Sequence, residues 1–286
     1  MGRIDLHTHT TASDGRYPPA ALVDLAVARG VEVLAVTDHD STEGVAAAQA
    51  RGRERGLEVW PGVEISTDLP QAEVHILGYF VDTTDPTFQA TLRRLRESRR
   101  ERAWRMVQRL ADLGRPVSWE RVVELAGGGA IGRPHIAQAM VERGYVASIR
   151  EAFERYLGRG GPAYVERYKL TPVEAVRLIR QARGLPALAH PLFIGGAVAG
   201  GQPAVEALLP DLVAAGLVGL EVYYPGYDET AQAYLLALAA RYDLVPTGGS
   251  DFHGRDDGHG DLGSVDVPLA SVARLRALAV QRPPPG

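Results

Sequence analysis

Cysteine is absent from this chain of 286 residues, and lysine occurs only once, at Lys169. The absence of cysteine excludes disulfides, thiolate metal ligands and the cysteine nucleophile that some phosphatases use. No apolar run approaches the length of a membrane-spanning helix, and residues 1–5 lack the apolar core of a signal peptide. We therefore expect a cytoplasmic protein without a membrane partner.

The chain also has no excess of positive charge, since its net charge is −4 and its pI is near 6.1. This balance argues against a general binder of long nucleic acid but permits a small anionic substrate at a local cationic site. Hydrophobic residues make up 45% of the sequence, enough for a substantial core. The length suits one barrel-sized domain with an insertion, or two modest domains.

Histidines and carboxylates are present in a repeated setting, near the ends of short apolar runs. His7 and His9 follow a first short strand, and their spacing places both imidazoles on one side of it. Two imidazoles at a strand end form a ready pair of metal ligands. Similar positions are held by Asp14, His39, Glu64, His75, His190, Asp251 and His253. Each could be an ordinary residue by itself, but together they predict a metal site.

Strand and helix patterns alternate along much of the chain. After the opening strand, the pattern predicts further strands at Val31–Thr37, Leu57–Ile65, Val74–Phe80, Pro186–Ala189, Leu217–Tyr223 and Leu244–Thr247. This rhythm predicts a mainly parallel α/β sheet closed as a barrel, with sites at the carboxyl ends of the strands. Residues 85–160 are instead helical in pattern, so we expect them to form an α-helical insertion acting as a substrate cap. The barrel then comprises residues 1–84 and 161–286.

Six separated motifs carry a resemblance to a known family. They are His7-Thr8-His9 with Ser13-Asp14-Gly15, Thr37-Asp38-His39, Gly62-Val63-Glu64, His75, Ala189-His190-Pro191 and Ser250-Asp251-Phe252-His253. In this order they resemble the polymerase and histidinol phosphatase (PHP) superfamily of metal-dependent phosphoesterases. The resemblance implies a distorted (β/α)7 PHP barrel with an α-helical insertion. It is strongest to nucleoside 3′,5′-bisphosphate phosphatases, some of which are also 5′-3′ exoribonucleases.

The resemblance further implies how the candidate ligands divide among metal ions. One ion is held by His7, His9, Glu64 and Asp251, a second by Glu64, His75 and His190, and a third by Asp14, His39 and His253. Glu64 then bridges two ions, and the catalytic members are Glu64, Asp251 and His253. Nine ligands predict two or three divalent ions, with Mn²⁺ favoured and Zn²⁺ or Fe²⁺ as alternatives.

A clustered metal site predicts hydrolysis of a phosphate ester by a metal-bound hydroxide. The resemblance implies that the substrate is the 3′-phosphate of a nucleoside 3′,5′-bisphosphate, with trimming of short 5′-phosphorylated RNA as an additional activity. The group that protonates the leaving oxygen is left open among Asp38, Asp40, His135 and His259. The partner is therefore a small anionic nucleotide or a short oligoribonucleotide.

Three further residues are predicted to contact substrate phosphate. Arg133 and His135 stand at a predicted helix start, where free N–H groups and a guanidinium favour an anion. Lys169 stands where the insertion rejoins the barrel, and its thin stem fits beside a phosphate where the arginine fork does not.

Other functions share part of this pattern. Histidinol phosphate phosphatases use the same superfamily site, and a deacetylase or other amidohydrolase uses similar metals on a similar barrel. A non-catalytic metal-binding PHP module, like those attached to DNA polymerases, is the alternative outside enzymes.

Overall fold

The computed structural model describes residues 3–69, 72–127, 131–194, 201–254 and 260–281. The chain divides into two compact units, of which the first comprises Met1–Ala90 with Lys169–Gly286 and the second Thr91–Tyr168. His259, one of the residues considered as a proton donor, lies outside the described residues. None of the helices in the described ranges has the length and apolar composition needed to cross a membrane.

The first unit is built on a seven-stranded sheet whose strands follow one another in chain order. The strands are β1 (Arg3–Asp5), β2 (Val31–Val36), β3 (Glu58–Leu69), β4 (Ala72–Tyr79), β5 (Leu185–Leu188), β6 (Gly219–Tyr223) and β7 (Val245–Gly248). The N–H of Leu6 donates to the carbonyl of Gly248 at 3.2 Å, and Thr8 forms a parallel bridge with Phe252. These links join the first strand to the last, so the sheet closes into a distorted barrel.

The direction of β4 departs from the expected rhythm. The pairs β1–β2, β2–β3, β5–β6 and β6–β7 are parallel, whereas β4 runs antiparallel to both β3 and β5. The sheet is mainly parallel, as expected, and β4 is the exception, because β3 ends at Leu69 and β4 begins at Ala72. So short a connection permits a hairpin but no helical crossover, and a hairpin forces opposite strand directions.

Helices of the first unit cover the sheet and complete its core. They are α1 (Pro19–Ala28), α2 (Val45–Arg55), α7 (Pro172–Gln181), α8 (Gly201–Ala214), α9 (Glu229–Arg241) and α10 (Leu269–Val280). One buried cluster contains Ile4, Trp60 and Tyr79, and a second packs α1 and α2 through Leu22 and Val45. Buried apolar faces on both sides of the strands hold their ends in fixed positions.

The second unit is helical. It contains most of α3 (Pro86–Asp112), then α4 (Trp119–Ala126), α5 (Arg133–Glu142) and α6 (Ile149–Ala152), the last continued by a π-helical turn at Phe153–Leu157. Ser118 caps α4 by accepting the N–H of Arg121 at 3.2 Å, and Gly127 ends it in a left-handed conformation. A separate buried cluster that includes Met106, Leu110 and Met140 gives this unit its own core.

Candidate metal centre

The loop after β1 brings two imidazoles into the interior of the first unit. His7 and His9 are both fully buried, and their ring centroids lie 5.3 Å apart. Gly249, which follows β7, allows the neighbouring chain to approach closely. A Cβ atom at this position would lie 2.4 Å from the Cβ and backbone N of His7. Only glycine fits so close to His7, and the carboxyl ends of the first and last strands therefore meet at these histidines.

His7, His9, Glu64 and Asp251 form the most buried ligand group. The Nε2 atom of His7 lies 3.3 Å from Glu64 Oε2 and 3.2 Å from Asp251 Oδ1. The Nε2 atom of His9 lies 3.2 Å and 3.1 Å from the same two oxygens. Two nitrogens and two oxygens thus converge, which is the donor set that Mn²⁺, Zn²⁺ or Fe²⁺ accepts.

A second group joins His9 to Asp14, His39 and His253. Asp14 Oδ1 lies 3.3 Å from His253 Nε2, and its Oδ2 lies 3.9 Å from His39 Nε2. The rings of His9 and His253 are stacked with centroids 4.2 Å apart. This group contains the three residues that the resemblance assigns to one ion, with His9 as an additional member.

The carboxylate of Glu64 joins the remaining imidazoles. Its Oε1 lies 2.8 Å from His75 Nδ1 and 3.2 Å from His190 Nε2, and its Oε2 lies 3.0 Å from His39 Nδ1. The third ligand group is His39 with Glu64 and His75, whereas the resemblance places His190 beside Glu64 and His75. His190 borders this group through its contact with Glu64. Glu64 therefore has the central position that a bridging ligand requires.

The hydrogen bonding of these residues fits metal ions. His7 Nε2, His9 Nε2, Asp14 Oδ1 and Glu64 Oε2 are buried without a hydrogen-bond partner among the described residues, although opposite atoms lie close by. Leaving a buried polar atom unsatisfied costs about 1–3 kcal/mol, so several together at one place need an explanation. A cation shared by these atoms explains why they lie close together without aligning as donor and acceptor.

The tautomers of two histidines agree with that explanation. His7 Nδ1 lies 3.0 Å from Glu221 Oε1, and His253 Nδ1 lies 2.8 Å from the carbonyl oxygen of Asp251. Both partners only accept, so each Nδ1 must carry the proton. The lone pair of each Nε2 then points at the carboxylates of the cluster, as in a metal-ligating histidine.

The electrostatics of the cluster also favour bound cations. Burial lowers the pKa of His7, but the charges of Asp251, Glu221 and Glu64 outweigh it and hold the pKa well above the ordinary value. Burial likewise lowers the pKa of His9, but the close carboxylates of Asp251 and Glu64 outweigh it and raise the pKa to about 10. The carboxylates therefore stabilise positive charge at the imidazoles, and a bound metal ion would supply that charge in place of protons.

Glu221, on β6, was not predicted as a site residue. It is fully buried, and its two oxygens have different tasks: Oε1 accepts from His7 Nδ1 at 3.0 Å and Oε2 accepts the backbone N–H of His190 at 2.6 Å. One carboxylate thus orients two candidate ligands. The available clue was an acidic residue inside the apolar run Leu217–Tyr223, a position where a charge needs a partner.

Of the residues considered as proton donors, Asp38 and Asp40 have structural partners. Asp38 accepts from the backbone N–H and hydroxyl of Thr10, both at 2.7 Å, and from the hydroxyl of Ser13 at 2.6 Å. Asp40 Oδ1 accepts the N–H of Ser66 at 3.1 Å. Asp38 therefore holds the loop of the histidine pair through three hydrogen bonds.

Arg133 and His135 lie in the second unit, at the first turn of α5. The Arg133 guanidinium lies 5.3 Å from the centroid of the Phe153 ring, and His135 Nδ1 accepts the N–H of Gly132 at 3.1 Å. The His135 ring therefore caps the helix that it helps to begin. The substrate contacts of both residues stay a prediction.

Lys169 has two carboxylate partners in the first unit. Its side chain is only 4% exposed, and its Nζ lies 2.7 Å from Glu73 Oε1 and 3.3 Å from Asp68 Oδ1. A phosphate would have to displace two carboxylates that already neutralise the ammonium. The ion pair gives a sufficient structural reason for a lysine here, and the phosphate contact of Lys169 stays a prediction.

A barrel whose interior edge gathers imidazoles and carboxylates is typical of metal-dependent hydrolases. The family model of the PHP domain matches residues 5–159. The chain belongs to this family, and it is a hydrolase acting on phosphate esters.

Several relatives match over nearly their full length. A 3′,5′-nucleoside bisphosphate phosphatase of Chromobacterium violaceum is 35% identical over 93% of this chain and 92% of its own. A 5′-3′ exoribonuclease of Escherichia coli is 37% identical over 87% and 84%. Among solved structures, a C. violaceum amidohydrolase with bound sulfate is similar with a TM-score of 0.83 and 33% identity, covering 97% of each chain.

Proposed function

We propose that this protein hydrolyses the 3′-phosphate of nucleoside 3′,5′-bisphosphates. The observation that carries the proposal is the convergence of unsatisfied imidazole and carboxylate atoms around Glu64. The C. violaceum relative, named for this activity, supplies the substrate class.

Two or three divalent ions would be held by nine residues, in groups that share Glu64 and His9. The residues are His7, His9, Asp14, His39, Glu64, His75, His190, Asp251 and His253. Mn²⁺ is the favoured ion, with Zn²⁺ and Fe²⁺ as alternatives, because the donors are nitrogen and oxygen without sulfur. Bound ions of this kind lower the pKa of water and neutralise charge on phosphoryl oxygens.

Other residues of the chain hold the candidate ligands in position. Glu221 keeps His7 in one tautomer and fixes the backbone of His190. The hydroxyl of Tyr224 donates to Asp251 Oδ2 at 2.9 Å and so orients that carboxylate. Such preorganisation spares the site reorganisation as charge develops on the phosphate. Arg133 and His135 are proposed to bind the phosphate that is not cleaved.

The test is phosphate release from matched substrates by the Mn²⁺-loaded protein. Adenosine 3′,5′-bisphosphate is expected to give the 5′-monophosphate and phosphate, with a higher kcat/KM than histidinol phosphate. Chelation should abolish the activity, and added metal should restore it. A preference for histidinol phosphate would refute the substrate assignment, while full activity after exhaustive demetallation would refute the site.

Trimming of short 5′-phosphorylated RNA is a second candidate activity, favoured by the exoribonucleases of similar identity. Another relative, from Eggerthella lenta, is a phosphoribosyl 1,2-cyclic phosphate 1,2-diphosphodiesterase that is 35% identical, so its substrate belongs in the same panel. Release of nucleoside 5′-monophosphates from the 5′ end of a labelled oligoribonucleotide would establish the RNA activity. An intact oligonucleotide under conditions that cleave the bisphosphate would exclude it.

A further inference from the structure

A row of aromatic side chains begins at the candidate metal centre and ends in solvent. The His190 ring lies 5.6 Å from the Tyr224 ring, and Tyr224 lies 5.5 Å from Phe193. Phe193 is also stacked on Tyr227, with centroids 5.7 Å apart and planes at 15°. We name Phe193, Tyr224 and Tyr227 the aromatic row. It leads from a residue that contacts Glu64 to an exposed ring.

The two tyrosines of the row are fixed by hydrogen bonds. The Tyr224 hydroxyl donates to Asp251 Oδ2 at 2.9 Å, and the Tyr227 hydroxyl accepts the N–H of Leu192 at 2.9 Å. Burial raises the pKa of both phenols, so both hydroxyls keep their protons. The second bond also ties down the short 3₁₀ turn Pro191–Phe193, which carries the third ring of the row.

Phe193 differs from its neighbours in exposure. Its side chain is 40% exposed, whereas Tyr227 is only 6% exposed. A single exposed hydrophobic residue is ordinary on a protein surface. This one, however, rests on rings that are themselves held in place, three residues after His190. A rigid aromatic face beside a phosphate-processing site is a surface on which a flat, apolar group can stack without an ordering cost.

We propose that Phe193 is the stacking platform for the nucleobase of the substrate. The inference rests on the proposed function and extends it, because it names the part of the substrate that distinguishes a nucleotide from histidinol phosphate or a sugar phosphate. Two successive ring contacts, at 5.6 and 5.5 Å, lead from His190 through Tyr224 to Phe193. The exposed ring therefore lies close to the candidate metal centre, where the phosphate of the substrate would bind.

The chemistry of the platform predicts a broad base preference. Phenylalanine has no donor or acceptor with which to read a base edge, and every base offers a π-face. The bisphosphates of all four common nucleosides should therefore be hydrolysed, with larger purines stacking over more area. Selection operates for the presence of a base and not for its identity.

The kinetic test compares adenosine 3′,5′-bisphosphate with the same sugar bisphosphate carrying hydrogen in place of the base. Phe193→Ala should raise KM for the nucleotide roughly five- to hundredfold, the range expected for one base stacked on an aromatic ring, and should change kcat little. The KM of the base-free substrate should rise far less in the same variant. Phe193→Trp should restore the nucleotide KM, and Leu236→Ala, which truncates another exposed side chain of this unit, serves as the matched control.

A binding measurement separates the platform from the proposed activity. Wild-type protein should bind adenosine 5′-monophosphate more tightly than ribose 5-phosphate in calorimetric titrations, and Phe193→Ala should remove most of that difference. If Phe193→Ala weakens the binding of both ligands equally, or raises the KM of both substrates equally, the stacking role of Phe193 is refuted. The phosphatase activity would stand in either case. Base-dependent binding without phosphate release would overturn the proposed function while leaving the platform.

Discussion

Replacing Glu221 by glutamine tests whether one buried carboxylate organises the candidate metal centre. Glutamine keeps the shape of the side chain but replaces one acceptor oxygen by an NH₂ donor. In the structure both oxygens of Glu221 accept, one from His7 Nδ1 and the other from the backbone N–H of His190. Whichever way the amide is turned, a donor faces a donor at one of these two places.

The expected loss of metal affinity follows from the loss of one of two buried hydrogen bonds. A hydrogen bond to a charged group contributes about 1.5–3 kcal/mol, and an unmatched buried donor costs a comparable amount. If His7 loses its partner, its tautomer is no longer fixed and its Nε2 becomes a poorer ligand. Loss of a carboxylate behind a metal-ligating histidine typically weakens metal binding roughly ten- to hundredfold, which agrees with about 1.4–2.8 kcal/mol.

The assay is calorimetric titration of the metal-free protein with Mn²⁺, together with urea unfolding. Glu221→Gln should bind metal roughly ten- to hundredfold more weakly than wild type and unfold at lower urea concentration. Glu32→Gln is the control, because it removes one negative charge at an exposed position of β2, away from the site. Metal affinity for Glu221→Gln equal to that of Glu32→Gln would refute the positioning role of Glu221.

Three further substitutions test other contacts. Glu64→Gln should lower the number of Mn²⁺ ions bound per chain and abolish phosphate release, since the Glu64 carboxylate contacts imidazoles at both oxygens; retained stoichiometry would contradict its central position. Lys169→Met should lower the free energy of unfolding by about 1–3 kcal/mol, less than for a fully buried pair because Glu73 is 44% exposed. A higher KM without a loss of stability would instead support the predicted contact of Lys169 with substrate phosphate. Glu174 accepts from the N–H and hydroxyl of Thr171, and these bonds lower its pKa below 4.5. Its stabilisation is therefore present above pH 4.5 and lost as the pH falls through the folded-state pKa, so the difference in Tm between wild type and Glu174→Gln should shrink on acidification. A difference that does not vary with pH would exclude this linkage.

Residues that stand at strand ends could be predicted because their position and their chemistry are both visible in the sequence. His7, His39 and Asp251 follow apolar runs, and parallel strands bring such ends to one edge of a sheet. The structure places their side chains within one cluster. The local sequence pattern was sufficient here, because strand direction alone decides which strand ends lie at the same edge of the sheet.

Supporting residues could not be predicted in the same way. Glu221 is one acidic residue in a strand, and Asp38 is one member of a polar loop, so neither shows a pattern of its own. What distinguishes them is a donor on another element of the barrel, such as His7 Nδ1 for Glu221, which is far away in the sequence. A partner of that kind becomes known only when the register of the strands is known.

The antiparallel direction of β4 explains the position of one candidate ligand in its strand. His75 lies in the first half of β4 and Glu64 lies within β3, whereas the other ligands follow their strands. Because β4 runs opposite to its neighbours, its amino-terminal half lies at the edge where their carboxyl ends lie. The register agrees, since His75 pairs with Ser66, and Glu64 forms a parallel bridge with His39 after the end of β2. The hairpin that interrupts the alternation of strand and helix is thus what carries His75 to Glu64. A protein with a parallel strand here would need its histidine several residues later to reach the same metal centre.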